Sequence, residues 1–168
     1  MQTFTYPLIW KFIYRYGNLF ITPLLLIYSL SLVTLIDKNL IILLPFILSF
    51  IILYILNRAY LNFYKLVPYK IEFGDDKIIC SEFLFRNKTV TILIKDIESL
   101  SGGIFDGRYR GIMKVCDGKN KICIGFFDRM KNSSKLVTLL LSKVDKKIYD
   151  DVIEHIQSIK IKPETKNK

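Results

Sequence analysis

The sequence predicts a membrane-anchored α+β protein: an N-terminal two-helix transmembrane hairpin, then a small antiparallel β domain capped by C-terminal helix. Three observations carry this reading. Residues 17–36 and 40–56 are two uncharged apolar runs separated only by Asp37, Lys38 and Asn39. From Tyr69 onward, short apolar runs alternate with polar residues between turn signals. Beyond Asn132 the apolar residues recur at helical spacing instead.

Composition agrees. Apolar residues make up 51 % of the 168-residue chain, more than a soluble domain of this length normally carries and far too many for a disordered one. With 8 Gly and 3 Cys, the chain is neither collagenous nor a disulfide-dense secreted scaffold.

The two runs have the lengths that a bilayer asks for. At about 1.5 Å per residue the first gives a helix of roughly 30 Å and the second one of roughly 25 Å. The hydrocarbon core is about 30 Å thick, so the first spans it and the second does so with Asn57 and Arg58 snorkelling. Helices are required because lipid offers nothing to unpaired backbone groups. Pro23 and Pro45 are expected in the first turns of their helices, where a missing N–H costs least. No ionisable residue interrupts either run, so neither presents a proton or ion pathway. A cleaved signal peptide is not expected, because no small-residue cleavage pattern follows the first run.

Cations and rings flank the spans at one end. Lys11 and Arg15 precede the first; Arg58 and Lys65 follow the second; Trp10 and Tyr60 lie beside them. This pattern predicts a membrane interface formed by Trp10, Lys11, Arg15, Arg58, Tyr60 and Lys65. It predicts a multi-pass protein of the inner (cytoplasmic) membrane with both termini cytoplasmic. Residues 1–16 read as an interfacial segment, with an extension of the first helix as the alternative. Residues 17–58 form the hairpin and 59–68 a juxtamembrane linker.

The domain is expected over 69–160, with a polar tail at 161–168. Strands are expected at 69–73, 78–85, 89–94 and 99–105, with a short helical turn at 95–98. A hairpin joins 111–116 to 121–127. With Gly118 and Lys119 as its loop, Met113 faces Ile124 and Val115 faces Ile122, and all four share an apolar face. Asn132, Ser133 or Ser134 caps a helix carrying Val137, Leu140, Leu141 and Val144, and Asp145 caps another carrying Ile148, Val152 and Ile156.

In this setting the phrase Lys65-Leu66-Val67-Pro68-Tyr69-Lys70-Ile71-Glu72-Phe73 resembles the start of the domain in small bacterial membrane proteins with a pleckstrin-homology-like domain. Thr91-Ile92-Leu93-Ile94-Lys95-Asp96-Ile97-Glu98-Ser99-Leu100 resembles the same group, a strand running through an Asp-Ile turn into the next. The resemblance implies a half-open barrel capped by a helix. It transfers no catalytic residue.

The side chains able to do chemistry are few. His155 is the single histidine, and with Asp151 one helical turn earlier it reads as a surface residue. Cys80, Cys116 and Cys123 lack the paired spacing of a zinc site; in a cytoplasmic domain they are expected to be reduced, with Cys116 and Cys123 as diagonal neighbours. The glycine-rich stretch 101–111 is no Walker loop, since it lacks the closing Lys-Ser/Thr and the following helix. Its glycines are expected to serve turns and bulges. At its tip Arg108, Tyr109 and Arg110 form a basic-aromatic cluster suited to a phosphate headgroup or a partner protein. No catalytic, cofactor-binding or metal-binding residue is assigned, and no cofactor is expected.

Residues 57–168 hold 22 Lys plus Arg against 14 Asp plus Glu, a net charge of +8. Near an anionic leaflet such charge is attractive, at roughly 1 kcal/mol per cation. Nucleic acid is disfavoured as a partner, because the charge is spread without a basic helix or stacking platform. The expected function is non-enzymatic: a cytoplasmic domain held at the bilayer for protein–protein interaction or self-assembly into a homo-oligomer. The alternative is a module that binds anionic lipid headgroups at the cytoplasmic leaflet.

Overall fold

The computed structural model describes residues 1–36, 40–84, 88–108 and 110–161. The chain divides into two compact units, one of Leu8–Lys65 and one formed jointly by Met1–Pro7 and Leu66–Lys168.

The first unit consists of α1 (Leu8–Ile36) and α2 (Leu43–Leu66), with a single 3-10 turn at Leu40–Ile42 before α2. Both helices are long and apolar enough to cross a membrane. They run antiparallel. Asn18 Nδ2 donates to Asn57 Oδ1 at 2.8 Å near one end, and the Ser29 and Ser49 hydroxyls meet at 2.8 Å further along. Large apolar side chains face outward on both helices, among them Leu19, Leu24 and Ile27 on α1 and Leu44, Ile47 and Ile55 on α2. Both helices thus present an extended exposed apolar surface.

Both helices exceed the expected bounds. α1 begins nine residues before Gly17, so Pro23 falls in its interior and not in its first turns. Nothing between Leu8 and Gly17 breaks a helix, and the 29-residue element is about 43 Å long, more than a hydrocarbon core requires. α2 runs through the expected linker at 59–68 as far as Leu66. It ends where Pro68 restricts the residue before it to extended backbone.

The second unit corrects the sequence reading at its start. Gln2–Thr5 form strand β1, so residues 1–7 belong to the folded domain, and 1–16 is not one interfacial segment. β1 pairs antiparallel with β2 (Pro68–Phe73), with Phe4 opposite Ile71 and Thr5 opposite Lys70. β3 (Lys77–Phe83) and β4 (Val90–Leu93) complete a four-stranded sheet in the order β1-β2-β3-β4. A 3-10 turn at Ile94–Asp96 leads to a second sheet of β5 (Ile97–Ser101), β6 (Ile112–Asp117) and β7 (Ile122–Phe127). Helices α3 (Ser133–Lys143) and α4 (Lys146–Ile161) follow.

The core follows the strand alternation. Ile71, Ile78 and Ile92 from the first sheet and Met113, Val115 and Ile124 from the second are all at most 1 % exposed. Leu136, Val137 and Leu140 of α3 and Val152 of α4 are buried as well. Two contacts tie the N-terminal segment to the far side of the domain. The Tyr6 hydroxyl accepts the Phe127 N–H at 2.9 Å, and the Thr5 carbonyl accepts the Lys131 N–H at 2.9 Å.

The β6–β7 hairpin differs from expectation by a two-residue slip. Met113 lies opposite Phe126 and Val115 opposite Ile124. The loop is 118–121, because the Asp117 carboxylate accepts the Asn120 N–H at 3.0 Å and its side-chain amide at 2.7 Å, closing a turn two residues longer on its C-terminal side. Burial raises the Asp117 pKa, but the Asn120 hydrogen bonds and the nearby Lys119 outweigh that and hold it below its ordinary value. In this register Cys116 lies directly opposite Cys123 and the two form a disulfide, with Cα atoms 4.1 Å apart. The expected diagonal, reduced pair is thereby corrected.

Candidate functional site

The expected fourth strand, 99–105, stops at Ser101. Gly102 and Gly103 both have positive φ, +78° and +52°, and turn the chain into a 3-10 helix at Gly103–Asp106. A side chain at Gly102 would collide with the Ile112 carbonyl, and one at Gly103 would come 2.7 Å from the Met113 side chain. The glycines therefore let this segment lie directly on β6. Gly107, again with positive φ, closes the turn, and the Arg108 N–H donates to the Gly103 carbonyl at 2.9 Å.

The result is an open groove of about 280 Å³ bounded by the glycine turn and the start of β6. Arg108, Arg110 and Lys114 line it, with Asp106, Ser101 and the glycine backbone. Three cations against one carboxylate leave the groove electropositive. Both arginines and Lys114 are exposed, so their charges are available to a ligand. Two guanidinium forks and an ammonium are the donors that a phosphate monoester or diester takes. Tyr109, the third residue expected here, lies outside the described residues. Lys114 was not expected at the site. It projects from β6 on the face opposite Met113 and Val115, which the alternation of that strand already indicates.

The six expected interface residues all lie on the helical unit, at the end where α1 begins and α2 finishes. Trp10 packs on Tyr14, Tyr14 on Phe63, and Phe63 on Tyr60, with ring centroids 5.7–6.3 Å apart. Arg15 lies over the Tyr16 ring at 5.7 Å, and its carbonyl accepts the Tyr64 hydroxyl at 3.3 Å. Arg58 donates to the Tyr54 hydroxyl at 3.4 Å. Lys11 is partly exposed and Lys65 exposed. Gly17 lets the Tyr60 hydroxyl approach α1 closely. The antiparallel pairing thus gathers residues 10–17 and 54–65 into one aromatic and basic band.

The remaining candidates are dispersed. His155 is exposed on α4. Cys80 is fully buried in β3, and burial pushes its thiol pKa up to about 12, which leaves it unreactive. No family model matches the chain, and neither the curated proteins nor the solved structures include a significant match to it.

Proposed function

We propose that this chain is a non-enzymatic membrane protein whose helical hairpin anchors a pleckstrin-homology-like domain, and that the domain binds the phosphate of an anionic lipid headgroup. The groove of Arg108, Arg110 and Lys114 carries this reading. Two antiparallel sheets followed by C-terminal helix support the half-barrel part of it. The general basic charge of the domain favours the same ligand class.

The chain's connectivity supports a hairpin that crosses the bilayer twice. Strands β1 and β2 pair with each other, yet the whole helical unit intervenes between them in sequence. A chain that leaves a domain and returns to its neighbouring strand crosses a membrane an even number of times. The Lys and Arg flanking α1 and α2 favour the cytoplasm for that domain.

The test uses the full chain in non-ionic detergent, because β1 precedes the helices and a fragment starting at residue 66 lacks it. Short-chain phosphatidylglycerol and short-chain phosphatidylcholine are titrated while thermal unfolding is followed. Stabilisation by the anionic lipid alone, fading with salt and absent in Arg108→Ala/Arg110→Ala, is the expected result. Equal shifts with both lipids, or an unchanged response in the double variant, would overturn the headgroup reading and redirect attention to protein partners.

A further inference from the structure

The disulfide of the β6–β7 hairpin has a setting that a purely structural bridge does not need. Cys123 is exposed and Cys116 half-buried, so the Cys123 side of the bridge is the more open to attack. The bridge spans only seven positions of chain, within a hairpin already paired from Ile112–Phe127 to Asp117–Ile122. Cross-linking so short a loop constrains the unfolded chain less than a longer loop would. The opposite face of the same hairpin is anchored by Met113, Val115, Ile124 and Phe126, all at most 1 % exposed. Both cysteines line a groove of about 630 Å³ bounded by the hairpin, β5 and α4. Its charged walls are mixed: Lys121 and Lys147 on one count, Glu98, Asp117 and Asp151 on the other. Such a groove has room for a small peptide and has partners for both its carboxylates and its ammonium group.

We propose that Cys116 and Cys123 form a thiol–disulfide exchange site for a small zwitterionic peptide thiol. The thiolate of the incoming molecule attacks Cys123 Sγ. A new S–S bond forms there, the Cys116–Cys123 bond breaks, and its electron pair leaves on Cys116 Sγ, which then takes a proton. A second molecule of the thiol attacks the sulfur of the first, releasing the small-molecule disulfide and the Cys123 thiolate. Two thiols are oxidised and one protein disulfide is reduced; the reverse sequence restores the bridge. Cys80, buried in the first sheet, takes no part.

The experiment uses the full chain in detergent with glutathione as the probe and 2-mercaptoethanol as an uncharged comparison. Intact mass and peptide mapping follow the adduct while circular dichroism confirms that the domain stays folded. Glutathione is expected to add to Cys123, and Lys147→Ala to slow that addition by roughly tenfold, the effect of losing one charge-assisted contact. The uncharged thiol, compared at equal thiolate concentration, is expected to show no dependence on Lys147. With Cys116→Ser the lone Cys123 is expected to take up glutathione from its disulfide. Three results would each overturn the proposal: a bridge that opens only when the domain unfolds, adduct formation at Cys116 instead, or an equal effect of Lys147→Ala on both thiols.

Discussion

The hydroxyl of Tyr6 accepts the backbone N–H of Phe127 at 2.9 Å, joining positions 121 residues apart. Tyr6 is 4 % exposed and its ring meets that of Tyr69 edge-on, with centroids 6.1 Å apart. The helical unit is therefore inserted into the domain's chain, after its first strand, and is not merely appended to its start.

Replacing Tyr6 with Phe keeps the ring and removes the acceptor. The Phe127 N–H then loses a buried partner, at a cost of about 1–3 kcal/mol. The measurement is thermal unfolding of the full chain in detergent. An unchanged midpoint would mean that the contact contributes nothing to holding β1 in place.

Gly102→Ala puts a Cβ where the Ile112 carbonyl stands and forces a left-handed backbone on alanine. Backbone strain of that kind costs about 1–3 kcal/mol. Stability is expected to fall, together with the response to anionic lipid, since the turn shapes the groove of Arg108 and Arg110. A variant that retains full lipid response would separate the turn from the binding site.

Asn57 links the two helices through Asn18, and Thr22 also donates to it at 3.3 Å. Polar contacts between helices in a bilayer are worth about 0.5–2 kcal/mol. Asn57→Leu is expected to loosen the hairpin by that amount, measured by unfolding in bicelles. Ser49→Ala, which removes the buried Ser29 partner, provides an independent check of the same pairing.

The Asp117 carboxyl titrates below its ordinary value of 3.8 because Asn120 and Lys119 favour its charged form. A carboxylate with a depressed pKa in the folded state contributes its stability in full above the unfolded value. That contribution disappears as pH falls through the lower, folded value. As pH falls through the ordinary carboxylate range and below it, the chain is expected to lose more stability than its Asp117→Asn variant. Asp75, lowered in the same sense by hydrogen bonding to Lys143, is common to both proteins and cancels in the comparison. Parallel curves would show that the turn does not depend on the charge.

The native cysteines are poor reporters of topology. Cys80 is buried with its pKa pushed up to about 12, and Cys116 and Cys123 are bridged. While the bridge is closed, a membrane-impermeant maleimide is expected to leave the folded chain unlabelled on either side. Lys135→Cys, on the exposed side of α3 in a Cys116→Ser/Cys123→Ser background, supplies a usable thiol. Labelling of that thiol only after permeabilisation is the outcome for a cytoplasmic domain, and labelling in intact cells would reverse the orientation.

How much of this was legible in the sequence differs from element to element. The two apolar helices were plain, because the absence of charge over such lengths is a property of the local chain. Their ends were not. The rings and cations at 8–16 and 57–66 permit a helix without demanding one, and both helices continue through them. Strand β1 carries only a short signal: Thr3 and Thr5 alternate with Phe4 and Tyr6 before Pro7. Four residues of alternation mean little until β2 pairs with them.

The sequence by itself determined which residues of the β6–β7 hairpin point inward, because period-2 alternation survives a slip of two residues. It did not determine the register. That was decided by the Asp117–Asn120 turn, and with it the meeting of Cys116 and Cys123. In the same way Arg108 and Arg110 were visible as a cluster, but Lys114 joins them only because the Gly102–Gly103 turn lies against β6. Side-chain periodicity and uncharged length are local and can be read along the chain. Strand partners and groove walls come from segments far apart in sequence, and only their packing against each other selects among the pairings that the local pattern allows.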